Sequence, residues 1–505
     1  MDDSPPPRQR QTRSAAGEDG RSPTTQTPPS DESPSDESSS DIDEDALYEW
    51  DREPVREEGL KPGRYFAGLM AGEHVAGTEF VIGTLFVLSG AEFWDLIGGL
   101  LLGNLLAVLS WAFLCAPIAT DVRLTLYWYL RKIAGPRLTM VYNVVNAFLY
   151  CVLAGAMIAV ATTAIGLAFG LPTPDLTAVM PPSLAWVLIT LTIGGLFTLV
   201  AVLGFDQLSM FASVCSPWIF VVFVAGAIAM LPRLGVESDL SNLYEVATTQ
   251  IWNGEVAEGR SKLGFWHMVF FAWIANLAMH VGLSDLALFR YAENWTYGFY
   301  SAIGMYTGHF LAWICSGVMV AAVAGEPNPG LMAYEAVGFA GAFAVLAAGW
   351  TTANPTLYRA GLALQAVTPD WARWKVTAAT GALTAAVACF PVVFLRLLDF
   401  VAIYGLIIMP IGAIVFTEHW IVPALGAERY LPERRGRALN WKAALVWAAT
   451  LAFCYLIFHL GMHQYFIWLP GYLFATAAYA GLKFAFDRGE TGSDVRTESE
   501  TARAV

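Results

Sequence analysis

Residues 349–355 read GWTTANP, a polar run inside a hydrophobic block that covers residues 337–358. The block is long enough to cross a membrane, because a helix of about 20 residues spans a hydrocarbon core of about 30 Å. Two hydroxyls, an amide and a proline at that depth must find partners within the protein or line water. The run therefore predicts a binding site among membrane-spanning helices.

The composition of the whole chain is that of a membrane protein. Of its 505 residues, 56% are hydrophobic and 13% are aromatic, far more than a soluble domain needs. The net charge of −14 arises in two tails, since residues 1–60 hold 17 acids and 6 bases and residues 487–505 hold 5 and 3. This balance gives no indication of nucleic-acid binding, and the expected surroundings are a lipid bilayer.

Both tails are predicted to be disordered and cytoplasmic. The first 45 residues are rich in Pro, Ser, Thr, Asp and Glu, and they hold too few aliphatic side chains to offset the loss of chain entropy. The expected organisation is an acidic tail over residues 1–60, a twelve-helix membrane domain over residues 61–486 and a second tail over residues 487–505.

Twelve apolar blocks have the length of a membrane span. They cover residues 66–90, 93–117, 140–169, 183–203, 211–231, 264–283, 298–323, 337–358, 376–395, 400–421, 442–461 and 464–485. Cytoplasmic connections are enriched in Lys and Arg, and 16 of the 20 basic residues between 61 and 486 fall on the side of the tails. The chain is therefore predicted to lie in the plasma membrane with both termini in the cytoplasm.

One long external connection, residues 232–263, divides the first ten spans into two groups of five. An odd number of spans per group forces the groups into opposite orientations, which is the inverted-repeat architecture of many secondary transporters. The predicted fold is thus an all-α membrane protein with one repeat over about 66–231, a second over about 264–421 and two further helices over about 442–485.

Span 1 carries ionisable residues that are costly to expose to lipid, namely Glu73, His74 and Glu79. The nearby Gly72 and Gly77 would allow the helix to unwind and free carbonyl oxygens for a small cation. The alternative is that Glu73 and His74 lie near the cytoplasmic interface, paired and solvated. Any of the three ionisable side chains could also carry a proton.

In span 8, Thr351 and Thr352 can direct hydroxyls at a hard cation, which prefers oxygen ligands. Alternatively, both hydroxyls bond to carbonyls four residues earlier and only bend the helix. Two adjacent threonines followed by Ala-Asn-Pro exceed what a bend requires, so we expect a cation site.

Spans 3 and 6 offer candidates for a ligand with a flat ring. Asn143, Asn146 and Tyr150 share one face of span 3, where an aromatic ring can stack and an amide can hydrogen-bond; ordinary interhelical hydrogen bonding is the alternative. Span 6 adds polar and aromatic groups ahead of a possible break near Gly282: Trp273, Asn276 and His280. Asp285 and Arg290, at its end, are expected to form a structural ion pair.

Three blocks resemble the nucleobase:cation symporter family, whose members include cytosine, purine, hydantoin and allantoin permeases. Residues 92–117 (EFWDLIGGLLLGNLLAVLSWAFLCAP) resemble its second span, residues 282–290 (GLSDLALFR) the end of its sixth, and residues 349–369 (GWTTANPTLYRAGLALQAVTP) its eighth. With their order and spacing, the resemblance covers about residues 64–485. It implies the inverted-repeat fold of sodium-coupled symporters with two extra helices.

The resemblance also implies site residues. The cation would lie between the broken first span and span 8, at the carbonyls of Glu73, Ala76 and Ala348 and the hydroxyls of Thr351 and Thr352. The heterocycle would lie between spans 1, 3, 6 and 8, at matching positions that include Gly77, Ala147, Tyr150, Asn276 and Ala353.

The chain departs from the family pattern mainly where the solute binds. Tyr150 replaces the usual Trp of span 3, with Asn146 nearby, and Asn276 replaces an aromatic residue of span 6, close to Trp273. Ala353 stands where Asn follows the two threonines, and Asn354 comes one place later. The cation site is thus better matched than the solute site.

The expected function is import of a nucleobase-like heterocycle coupled to Na⁺. Proton coupling, an amino acid or amine as solute, and a non-transporting membrane sensor are the alternatives, and the oligomeric state stays open. No organic cofactor is expected. No His-Glu-x-x-His, Gly-x-Ser-x-Gly or phosphate-loop motif occurs in the sequence, so no enzyme activity is predicted.

Overall fold

The computed structural model describes residues 47, 49–171, 174, 178–323 and 328–487, apart from the side chains of Ala168, Leu398 and Asp399. Within these residues the protein is all-helical, and the only β-type pairings are isolated bridges. The predicted disorder of residues 1–46 and 488–505 concerns segments outside the described residues.

The main helices are numbered along the chain. They are α1 (Gly63–His74), α2 (Glu79–Leu88), α3 (Phe93–Val122), α4 (Leu126–Ala134), α5 (Pro136–Ala168), α6 (Leu184–Leu203), α7 (Phe205–Met230), α8 (Phe265–Ile274), α9 (Leu277–His280), α10 (Leu286–Phe289), α11 (Trp295–Ala322), α12 (Pro329–Val337), α13 (Phe339–Gln365), α14 (Arg373–Ala388), α15 (Leu397–Phe416), α16 (Trp441–His459) and α17 (Trp468–Asp487). Each predicted apolar block contains one or two of them.

Seven helical stretches in the described part of the chain are long and apolar enough to cross a membrane on their own. They are α3, α5, α6, α7, α11, α16 and residues 400–424, which contain most of α15. The remaining predicted spans are divided, shorter or less apolar. The divided ones, predicted spans 1 and 6, bring polar backbone into the interior, which is tolerated where the backbone is covered by protein or lines a cavity.

Helix α13 lies at the centre of the domain. It packs against α5, α7 and α14, while α1 packs against α7 and α16 packs against α17. Every residue of α13 from Thr351 to Leu362 is buried. The polar run that marks the sequence is therefore enclosed by other helices, and its hydroxyls face protein.

The N-terminal strap, which we define as residues 49–56, packs against one end of the helical domain. Arg290 and the Tyr291 hydroxyl donate hydrogen bonds to the carbonyl of Glu49, at 2.9 and 2.7 Å. The amide of Val55 donates to the carbonyl of Arg123 at 3.0 Å. Residues 49–60, which the sequence assigned to the disordered tail, are therefore part of the packed domain.

Candidate functional site

The first break in a helix separates α1 from α2 over residues 75–78. A Cβ added to Gly77 would lie only 3.1 Å from Cγ1 of Val160 and 3.4 Å from the carbonyl oxygen of Val345, so the absence of a side chain lets the break lie against α5 and α13. The carbonyl groups at the end of α1 carry the partial negative charge of a helix C-terminus. The predicted unwinding near Gly77 is confirmed.

The second break separates α8 from α9 at Ala275 and Asn276. Nε2 of His280 lies 3.0 Å from the carbonyl oxygen of Trp273, so one histidine satisfies a carbonyl left unpaired by the break. The chain leaves the helical path again after His280, where Leu283 adopts a φ of +64°. The expected break near Gly282 is therefore present, and a further break lies about two turns earlier, at Ala275 and Asn276.

Four of the predicted cation ligands are joined by direct contacts. Oγ1 of Thr352 lies 3.2 Å from the carbonyl oxygen of Glu73 and 3.0 Å from that of Ala348. Oγ1 of Thr351 lies 3.2 Å from the same Ala348 oxygen. The fifth, the carbonyl of Ala76, accepts the amide of Glu79 at 3.1 Å and lies on the neighbouring cavity wall. Both hydroxyls thus bond back to a carbonyl of their own helix, as the alternative of a bent helix predicts, and the contact of Thr352 with Glu73 also brings oxygen atoms of α1 and α13 together.

A buried arginine that the sequence analysis did not select lies beside these oxygens. Arg359, on α13, donates to both carboxylate oxygens of Glu73, at 2.6 and 3.0 Å, and it also donates to Asp285. The second oxygen of Asp285 accepts Nε1 of Trp111 at 2.6 Å. Arg359, Glu73 and Asp285 form one ion cluster, which we call the carboxylate–arginine cluster.

This cluster corrects the expected pairing of Asp285 with Arg290. Arg290 instead donates to Tyr291, Tyr358 and the carbonyls of the N-terminal strap. The two residues lie at opposite ends of the short helix α10. Glu73 is paired with a buried arginine and is itself only 6% exposed, which contradicts the alternative that it is solvated at the cytoplasmic interface.

Next to the first break lies a cavity between the helices. Its polar lining comes from the two breaks and the helix ends beside them, and from α11 and α13: Glu73, Thr78, Glu79, Asn276, His309, Thr352 and Thr356. Met157, Phe271 and Tyr404 contribute apolar and aromatic surface. A mostly apolar lining with a few polar groups is the usual character of a small-molecule site.

Glu79, at the start of α2, has its own set of partners on the cavity wall. Its carboxylate accepts Nε1 of Trp313 and, at 3.3 Å, Oγ1 of Thr78. Nε2 of His309 lies 3.9 Å from one of its oxygens and 3.4 Å from Nδ2 of Asn276. The ring of His309 stacks on Trp313 with centroids 4.4 Å apart.

Among the predicted solute-binding residues, Asn276 lines the cavity and the others lie behind its wall. Tyr150 packs edge-on against Tyr404, with centroids 5.5 Å apart, and Tyr404 lines the cavity in its place. Trp273 donates to Ser110 at 2.9 Å and packs on Trp468.

The other three lie deeper in the helix packing. Gly77 provides the close approach of the first break to its neighbours, and Asn146 is fully buried. Asn354 is also buried, and its amide has no hydrogen-bond partner among the described residues. Direct contact of these residues with a solute remains a prediction.

No protein-family model and no curated protein sequence matches this chain. Solved structures do match it in fold. Mhp1, a nucleobase-cation-symport-1 family transporter, in a closed conformation with bromovinylhydantoin bound, matches with a TM-score of 0.67 and 18% identity, over 86% of this chain and 95% of its own. Its inward-facing conformation matches with a TM-score of 0.64 and 17% identity, over 85% and 91%.

A Na⁺-coupled sialic acid symporter in a substrate-bound outward-open state also matches, with a TM-score of 0.64 and 10% identity, over 85% of this chain and 91% of its own. The expected resemblance to the nucleobase:cation symporters is thereby confirmed at the level of the fold. The fold is that of membrane transporters.

Proposed function

We propose that the protein is a secondary symporter that imports a small nucleobase-like heterocycle together with Na⁺ by alternating access. The observation that carries this proposal is the contact of Thr352 with the carbonyl of Glu73 at 3.2 Å. It places a hydroxyl of α13 at the broken end of α1, beside the cavity. Coupling requires that a cation and a solute bind next to each other and to the same mobile elements.

The charges of the carboxylate–arginine cluster support a monovalent cation as the coupling ion. Glu73 and Asp285 bring two negative charges and Arg359 brings one positive charge, all at buried positions. The cluster therefore has a net charge of about −1 when its carboxylates are ionised. Na⁺ bound at Thr351 and Thr352 would neutralise it, and the Na⁺-coupled structural neighbour agrees with this choice.

The positions of the two breaks support the inverted-repeat arrangement. The first break lies in the first predicted span and the second lies in the sixth, five spans later. Broken helices at corresponding positions of two repeats are typical of symporters whose ligands bind near the bilayer midplane. We further propose that the chain crosses the plasma membrane twelve times and that both termini lie in the cytoplasm.

The nucleobase-like class of solute rests on the cavity and on the bound molecule of one neighbour. The cavity offers aromatic surface from Phe271 and Tyr404 and an amide from Asn276, a combination that suits a flat ring with hydrogen-bonding edges. Mhp1 holds bromovinylhydantoin, which is such a ring.

The test is the sodium response of Thr352→Ala. We expect the variant to bind Na⁺ roughly tenfold more weakly, because it loses one oxygen ligand, and to lose solute affinity by a similar factor through thermodynamic coupling. Both affinities can be read from thermal stabilisation of the purified protein, and uptake into proteoliposomes gives the transport rate. Thr352→Ser, which keeps the hydroxyl, should behave like the wild type.

Thr380→Ala is the matched control. Thr380 is buried and bonds back to the carbonyl of Val376 at 2.7 Å, so the substitution removes the same kind of group from α14. Sodium-stimulated uptake that is unchanged in Thr352→Ala would contradict the cation site. Uptake driven by a pH gradient but insensitive to sodium would favour proton coupling, and ligand binding without uptake would favour a sensor.

A further inference from the structure

Glu79 places a carboxylate on the cavity wall that the coupling site does not use. It is 2% exposed and is the first residue of α2, so the positive end of the helix dipole offsets only part of the cost of burying its charge, and a bound cation would offset more. Trp313 and Thr78 donate hydrogen bonds to it from the protein side. The carboxylate is thus fixed in position while its residue lines the cavity.

The charges around the cavity are unequal. Two acidic residues, Glu73 and Glu79, line it, and no Lys or Arg does so among the described residues. Glu73 forms an ion pair with Arg359, which does not line the cavity. The only basic side chain within 4.0 Å of Glu79 in the described part of the chain is His309, 3.9 Å away. The part of the cavity at Glu79 therefore favours positive charge, and it disfavours anions.

Asn276 adds a second polar group beside this carboxylate. Its amide nitrogen lies 3.4 Å from the same His309 nitrogen that approaches Glu79. A carboxylate accepts two parallel N–H bonds from an amidine or guanidine group, and the amide oxygen can accept a further one. Phe271 and Met157 supply apolar surface for the faces of a ring.

Building on the proposed symport function, we propose that the solute is a cationic heterocycle. It would be a ring of nucleobase size whose amidine-like N–H groups carry a positive charge and bind the carboxylate of Glu79, with Asn276 alongside. The coupling ion then neutralises the carboxylate–arginine cluster and the solute neutralises Glu79, so each uncompensated carboxylate acquires its own cation. Neutral rings such as hydantoin or uracil bind more weakly, and anionic solutes are excluded.

The experiment compares two ligands of one shape. The cyclic guanidine 2-aminoimidazoline is positively charged at neutral pH, and the cyclic urea 2-imidazolidinone has the same ring but no charge. Each is titrated onto the full-length protein in detergent with Na⁺ present, with thermal stabilisation as the readout. We expect the wild type to bind the guanidine at least tenfold more tightly, as a charge-assisted contact predicts.

Glu79→Gln keeps the shape of the side chain and removes its charge. It should lower affinity for the guanidine by roughly 10- to 100-fold and leave that for the urea nearly unchanged. Glu92→Gln is the control, because Glu92 is an exposed acid that pairs with Lys262 at 2.6 Å outside the cavity. The Glu92→Gln variant should still bind the guanidine more tightly than the urea.

Three results would overturn the proposal. The first is that the wild type binds the guanidine no more tightly than the urea, and the second is that Glu79→Gln prefers the guanidine as strongly as the wild type does. The third is that Glu79→Gln loses only pH-driven uptake, which would make Glu79 a proton carrier. A failure of the proposed sodium coupling can be told apart from these results. It would appear as an unchanged sodium response in Thr352→Ala, and that response does not depend on whether the protein prefers the guanidine.

Discussion

A single guanidinium connects three parts of the helical domain. Arg359 on α13 binds Glu73 near the end of α1 and Asp285 at the start of α10, and Asp285 in turn binds Trp111 on α3. All these side chains are buried. Burying ions is costly unless each has a well-placed partner, so the cluster depends on every member being present.

We expect Arg359→Gln to destabilise the protein by about 3–5 kcal/mol, because it leaves two buried carboxylates without a cation. Adding Glu73→Gln should recover part of this loss, since the double variant has one carboxylate and no arginine and so restores the net charge of the cluster. The midpoint of thermal unfolding in detergent measures both effects. If the loss of stability in the double variant equals the sum of the losses in Arg359→Gln and Glu73→Gln, the two residues are not coupled.

The sequence allowed part of this site to be predicted. Thr352 and the break near Gly77 were recognisable because hydroxyls and glycines stand out within apolar spans. Arg359 was missed because the apolar block ends at Tyr358, whereas the helix continues for two more turns to Gln365. The signal was present, since Arg359 lies seven residues after Thr352 and so shares its face of the helix.

At the scale of elements, the N-terminal strap shows how charge and hydrogen bonding can order a segment of polar composition. Its carbonyls satisfy the fully buried guanidinium of Arg290, and its Glu49 carboxylate lies 3.7 Å from Nε of Arg373. Composition alone predicted disorder through residue 60. It could not show that the strap supplies acceptors to two buried arginines elsewhere in the chain.

Two truncations should separate the strap from the residues before it. Deleting residues 2–46 should leave the thermal stability of the purified protein nearly unchanged, because their composition predicts no packed structure. Deleting residues 2–56 should lower it, since each donor of Arg290 that loses its acceptor costs about 1–3 kcal/mol. Equal melting temperatures for the two truncated proteins would rule out a stabilising role for the strap.

At the scale of the whole molecule, the apolar blocks predicted where the helices lie, with ends that shift by several residues. Helix α7, for example, begins at Phe205 and not at residue 211. Hydrophobicity marks lipid contact well, but it does not resolve helix ends, breaks or the faces that turn inward. Those depend on contacts between distant parts of the chain, such as the one between Thr352 and Glu73.

The proposed orientation can be tested by labelling engineered cysteines on intact cells. Ser241→Cys, in the long connection after α7, should react with a membrane-impermeant maleimide, and Asp370→Cys, between α13 and α14, should react only after permeabilisation. Both positions are exposed, whereas five of the six native cysteines are buried and the sixth is half-buried. The reverse pattern, or labelling of both sites in intact cells, would contradict the proposed topology.

The strap also bears on which motions are open to the helical domain. It contacts Arg123 and Phe205 from the first five predicted spans, and Arg290, Trp371 and Arg373 from the second five. It therefore acts as a clasp across the two halves of the molecule at one end. Any motion that parts the halves there has to break these bonds first. In the proposed transport cycle, a step that parts the halves at this end can be no faster than the breaking of these bonds, so its rate would depend on residues outside the ion and solute sites.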